Sequence, residues 1–212
     1  MIDKLLSAKH WQLFVATFGV VIIGQMLMMS FVFTTNNPAN FVWIFAFMPI
    51  MMAIILYIQM GWQYGLIFKL IGKLSEKPSF PYKRIKAFFF IPIIYFVLLF
   101  IIMGSFFATA ISGDFRPSSG FFGLIALFVP LHFFSIFCMF HTMYWAAKSV
   151  KTVEMRKEVT FNDFAGEFFL IWFYPIGVWI LQPKVNKLWA GEIKQSSDSL
   201  DDIINEDEDE IL

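Results

Sequence analysis

From Trp11 to Phe68 the chain runs 58 residues without an Asp, Glu, Lys or Arg. A bilayer span takes about 20 apolar residues, so this run holds two spans. The break between them is TTNNPAN, Thr34 to Asn40, a cluster of turn formers around Pro38. The spans are then about 11–33 and 41–68. The first is too long for the apolar region of a signal peptide, about 7–15 residues, and no small-x-small cleavage site follows it, so it reads as a retained span. Two further uncharged runs, Ala87–Gly113 and Ser118–Ala147, supply a third and a fourth span, about 87–111 and 120–147. Only 15% of the chain is charged, against about 25% in soluble domains, which agrees with a membrane protein.

The basic residues orient the bundle. With the amino terminus inside, residues 1–10, 69–86 and those after 147 hold fifteen of the sixteen Lys and Arg, leaving only Arg116 outside. That asymmetry predicts cytoplasmic termini. Pro78 and Pro81 stop any helix within the basic segment 69–86. Trp11, Trp62, Tyr64, Tyr82, Tyr144 and Trp145 fall near the expected inner interface, where amphipathic rings settle.

The segment 161–183 is ambiguous. Thr160, with Asp163 three residues on, is placed to start a helix. The uncharged stretch Phe168–Pro183 covers about 24 Å as one helix, short of a core of about 30 Å. Pro175 and Gly177 break it near its middle, which favours two short arms. Trp172, Trp179 and Trp189 crowd there, as expected at headgroup level. The expectation is a re-entrant or interfacial segment; the rival is a fifth span. Residues 1–190 form the membrane domain, and 191–212, acidic and poor in aromatics, read as a disordered cytoplasmic tail.

The string FNDFAGEFFLIWFYPIGVWILQPKVNKL, within 160–188, resembles the end of small, uncharacterised polytopic membrane proteins of bacteria. The resemblance covers some 30 residues, implies a bacterial inner membrane and implies no activity.

Little in the chain points to chemistry. Walker, dinucleotide-binding, HExxH and GxSxG patterns are absent. The single cysteine, Cys138, sits among apolar neighbours and reads as a small buried hydrophobe. His132 and His141 lie nine residues apart, on opposite faces of one helix. His10 and His141 could face each other near the inner surface, yet no metal spacing is present, and the expectation is no cofactor. Gln25, Gln59, Gln63, Ser105, Thr109, Ser135 and Thr142 are polar at membrane depth and are expected to bond between helices. Gly61 and Gly65 make a small-xxx-small pair that permits close helix approach. Asp163 and Glu167, one helical turn apart beside the membrane, are the best carboxylate pair for a functional role. The candidate functional residues are therefore Asp163, Glu167, His141, Gln25 and Gln59. An 81-residue repeat is weakly suggested by Phe47-Met48-Pro49 against Phe128-Val129-Pro130, with Gly24 matching Gly104; chance is the favoured explanation.

The sequence thus predicts an all-α polytopic membrane helix bundle with four spans and a re-entrant or interfacial segment. Its expected role is that of a non-enzymatic accessory or scaffold protein. Its contacts would be the lipid bilayer and a membrane or cytosolic protein met through loop 69–86 or the acidic tail, with no nucleic acid. The alternative is a small-solute transporter or channel subunit; no Asp, Glu, Lys or Arg sits in the middle of a span, which counts against proton coupling.

Overall fold

The computed structural model describes residues 2–34, 41–75, 78–111 and 119–192. Every regular element in them is helical: α1 (Ile2–Ser7), α2 (His10–Phe14), α3 (Val20–Thr34), α4 (Phe41–Tyr64), α5 (Tyr82–Ile111), α6 (Ser119–Met155), α7 (Phe161–Trp172) and α8 (Tyr174–Ala190). A wide π turn, Val15–Gly19, joins α2 to α3, and a second, Gly65–Leu70, continues α4 toward Lys73. Four helices are long and apolar enough to cross a bilayer: His10–Thr34, Phe47–Lys73, Tyr82–Phe106 and Phe122–Met155. The chain is an all-α membrane bundle, as expected.

These helices outrun the uncharged stretches that predicted them. α5 begins at Tyr82, immediately after Pro81, and carries Lys83, Arg84 and Lys86 in its first turns. α6 continues past Ala147 through Lys148 and Lys151 to Met155. Long basic side chains reach water from a helix end, so a charge limits the apolar core and not the helix. α6 stops at Arg156, whose φ of 51° is left-handed, a C-terminal turn usually left to glycine. The expected loops 34–40 and 112–120 and the tail fall almost wholly outside the described residues.

The segment after α6 folds back on itself. Along one straight helix, Glu167 and Lys184 would stand about 25 Å apart; their side chains meet at 2.7 Å. The chain reverses at Phe173, and Pro175 lies in the first turn of α8, where a missing N–H costs nothing. Gly177 is required there. A Cβ on it would stand 1.7 Å from the carbonyl oxygen of Leu170, so only glycine lets the two arms meet. α7 runs antiparallel to α6, Phe161 beside Tyr144 and Trp172 beside Phe140. α8 runs antiparallel to α2, Tyr174 beside Phe18 and Asn186 bonded to the Ala8 carbonyl. Both open ends of the hairpin therefore lie at the end of the bundle where α1 and the basic segments gather. The rival fifth span is not formed. α8 does run on through Pro183 to Ala190, where Gly191, at φ 78°, caps it.

The core sits at that basic end. Leu6, Trp62, Leu66, Ile67, Leu70, Ile85, Ala146, Ala147, Val150, Phe164, Ile171, Val178 and Val185 are fully buried there. Gly61 and Gly65 do permit a close approach, but of α1: Leu5 and Leu6 press on them. Two expectations about aromatics change. Trp62 lies at the basic end but is wholly buried in protein, so its ring does not face headgroups. Of the three clustered tryptophans, Trp189 stays at the open end under the Lys73 ammonium, 4.5 Å away, while Trp172 is carried to the hairpin tip. The suggested repeat loses its glycine match. At Gly24 a Cβ would meet Phe47 at 3.0 Å; at Gly104 it would meet nothing within 4 Å.

Candidate functional site

The polar groups converge on the basic end in two clusters. The first is a ring of alternating charge from three helices. Lys151 and Glu154 of α6 pair at 2.9 Å. Lys184 of α8 reaches Glu154 at 2.6 Å and donates a hydrogen bond to Glu167 Oε1 of α7 at 2.7 Å. Lys151 closes the ring on Glu167 at 3.6 Å. Glu167 is buried; the other three are about three-quarters buried. Each charge has an opposite charge on either side, so the ring is neutral and its desolvation cost is offset, although Glu154 Oε2 meets its two lysines as ion pairs and not as aligned hydrogen bonds. Its position pins the hairpin to α6.

The second cluster is a latch centred on Gln182, which has no exposed surface. Its oxygen accepts from the Trp62 indole N–H at 2.7 Å. Its two N–H donors face the carbonyls of Leu5, Leu6 and Ala8 at 2.9–3.1 Å, and Asn186 Oδ1 at 2.9 Å. Asn186 donates to the Ala8 carbonyl at 3.1 Å. Those carbonyls belong to the end of α1, where a helix leaves acceptors without internal partners. One glutamine thus ties α1, α4 and α8 together. Tyr174 packs edge-on against Trp62, ring centroids 5.5 Å apart, and covers the latch from the hairpin side.

The expected carboxylate pair separates into two roles. Asp163 is exposed and caps α7, accepting from the Thr160 N–H at 2.7 Å and its hydroxyl at 2.8 Å. Those bonds, the backbone one foremost, hold its pKa below the usual aspartate value. Glu167 points into the ring. His141 lies against Phe88, 4.6 Å between ring centroids, and its Nε2 accepts from Trp145 at 3.1 Å. His10 packs on Trp179 at 4.7 Å, so the two histidines serve different neighbours and do not face each other. His132 bonds the Tyr95 hydroxyl at 2.7 Å; both α6 histidines reach α5 despite the half-turn between them. Gln25 and Gln59 are half-buried and belong to neither cluster. Cys138 is buried and free, as expected.

The expected bonding between spans is also redistributed. Ser105 and Thr142 return their hydroxyls to carbonyls of their own helix, Ile101 and Met139. Thr17 does the same to Leu13. The bonds that cross between long helices come instead from larger side chains, Trp62 with Gln182 and Tyr95 with His132. Gln182 and Asn186 were the overlooked residues. The signal was present: two carboxamides one turn apart, the first directly after the apolar run VWIL. Lys184 could not be paired with Glu167 without knowing that the chain reverses at Phe173.

Among the described residues, no group of three or more His, Cys, Asp or Glu stands together in a way that could hold a metal ion. No protein-family model, curated protein or solved structure matches this chain.

Proposed function

We propose that this chain is a non-enzymatic accessory or scaffold protein of a bacterial inner membrane, with both termini in the cytoplasm. The observation that carries the reading is the use made of the buried polar groups. Ring and latch are closed on themselves, and what they achieve is a rigid platform of α1, α7 and α8 fixed to one end of the spans. Beside the platform, a rim formed by the ends of α4 and α6 presents Lys73, Arg156 and Lys157, with Glu158 among them, around two shallow grooves of about 240 and 260 Å³ that share Leu74 and Arg156. Such a rim suits an acidic surface on a protein partner. The fifteen-to-one distribution of Lys and Arg supports a cytoplasmic position for it.

The test has two arms. Cysteines at the exposed positions Ser79, Asn162 and Lys187, on a Cys138→Ala background, should be labelled only from the cytoplasmic side. A photoreactive residue at Lys73 should then give one discrete protein adduct in cells, lost in the Arg156→Glu/Lys157→Glu variant, while reconstituted vesicles show no solute flux above empty ones. Flux that disappears on changing Gln25 or Gln59 would replace this reading with a transporter.

A further inference from the structure

α5 packs along α6 and touches α4 over only a short length. The gap left between α4 and α5 is a lateral groove of about 400 Å³. Ala53, Tyr57 and Gly61 form one wall, Phe89, Ile93 and Val97 the other, and Ile2 of α1 closes it at the basic end. Only the hydroxyls of Tyr57 and Tyr64 bring side-chain polar atoms to its lining. The groove is open sideways: Tyr57 and Val97 keep 60% and 55% of their surface exposed. An apolar cleft open sideways between two spans faces acyl chains and not water.

The charges at its closed end say which lipid. On α5 the stripe Val97, Ile93, Phe89 continues one turn further to Lys86, which is exposed. On α4 the opposite wall continues past Tyr64 to Lys69, whose ammonium lies 3.8 Å from Asp3, the neighbour of Ile2. Lys83 stands in the same opening turns of α5, which hold no acid, while Arg84 lies on the Phe88 face beside His141 of α6. The mouth of the groove is therefore cationic, with Asp3 as its one described acid, where the apolar walls give way to charge as at the headgroup level of a bilayer.

We propose that the α4–α5 groove is a binding site for one anionic phospholipid of the leaflet at the basic end, its acyl chain between Tyr57 and Val97 and its phosphate between Lys69 and Lys86. The site does not rest on the scaffold reading: it shares α1 with the platform through Ile2 but uses neither the charged ring nor the basic rim. Its chemistry separates two contributions. The walls retain a chain of any phospholipid; the lysines choose the headgroup, each contributing about five-fold by its attraction to one anionic group.

The test uses the full chain in nanodiscs of equal phosphatidylglycerol and phosphatidylcholine. Lipid retained per protein after mild detergent extraction is counted by native mass spectrometry. The wild type should keep about one phospholipid, with phosphatidylglycerol strongly preferred. Lys69→Gln and Lys86→Gln should each reduce the preference about five-fold without reducing total retention. Asp3→Asn should raise the preference. Ala53→Trp, which fills the groove from an exposed position, should abolish retention of both lipids; Val97→Trp does the same from the other wall and serves if the first variant fails to fold. Equal retention of the two lipids by the wild type, or full retention by a folded tryptophan variant, overturns the assignment.

Discussion

The two ends of the bundle are packed in opposite ways. α6 contains both. Toward its basic end Ala146, Ala147 and Val150 have no exposed surface, while Phe122, Leu127 and Phe133 toward the other end keep 62%, 63% and 67% of theirs. The most apolar window of His10–Thr34 is only 11% buried. The difference teaches that hydrophobicity does not drive helix association where the solvent is itself hydrocarbon. At the basic end something else does: small residues that let α1 approach, and polar side chains that must find partners. At the opposite end hydroxyls such as Ser105 bond back to their own helix and ask nothing of a neighbour.

The comparison breaks most severely at Gly177. Gly177→Ala places a methyl carbon on the Leu170 carbonyl oxygen, so the hairpin cannot close. The expected cost exceeds about 4 kcal/mol, at the exceptional end for a point change. Thermal unfolding in detergent, followed by size-exclusion fluorescence, measures it. Gly104→Ala, with open space around it, is the matched control and should be silent.

Next in size is the latch. Gln182→Leu keeps the volume but strands the Trp62 N–H and the α1 carbonyls, with an expected loss of about 2–4 kcal/mol. Ser105→Ala at the other end should change stability by less than about 0.5 kcal/mol. Equal losses from the two would erase the distinction between the ends.

The ring comes third. Glu167→Gln leaves Lys151 and Lys184 sharing Glu154 alone. A fully buried pair broken in this way costs about 3–5 kcal/mol, but the lysines here are 22–25% exposed, so about 1–2 kcal/mol is expected. Raising salt should narrow the gap between wild type and variant only slightly, because the ring is mostly shielded. A gap that vanishes in salt would mark the ring as an ordinary surface cluster.

The smallest effect belongs to Asp163. Its bonds from Thr160 depress its folded pKa, so its contribution is full above the ordinary aspartate pKa and is lost as pH falls through the lower folded value. Asp163→Ala should therefore be slightly less stable than wild type at neutral pH and indistinguishable from it in strong acid. A difference that persists in acid would mean that the carboxylate's charge is not what matters at this cap.

Much of the architecture was legible in advance. Uncharged runs located four spans, and Thr160 with Asp163 marked the start of α7. Pro175 and Gly177 identified the break that becomes the hairpin turn. The site was less legible. Of the residues singled out, only Glu167 entered a cluster that holds the fold together; Gln25 and Gln59 did not, and His141 serves a local contact with Trp145. Gln182, Asn186 and Lys184 act across separations of 174–178 residues to α1, or across a chain reversal to α7.

What the sequence determined by itself is everything set by the solvent around each segment. Runs without charge must lie in hydrocarbon, lysines and arginines must end near water, and a helix must break at Pro81, which has no backbone N–H to give. What only the tertiary structure decided is which of the many apolar faces meet and which stay in lipid. Transfer from lipid to a helix neighbour changes little free energy for Leu or Phe, so the hydrophobic pattern does not discriminate. The decision falls to a few polar side chains and close-approach glycines whose partners lie far away along the chain, and a linear sequence does not display those distances.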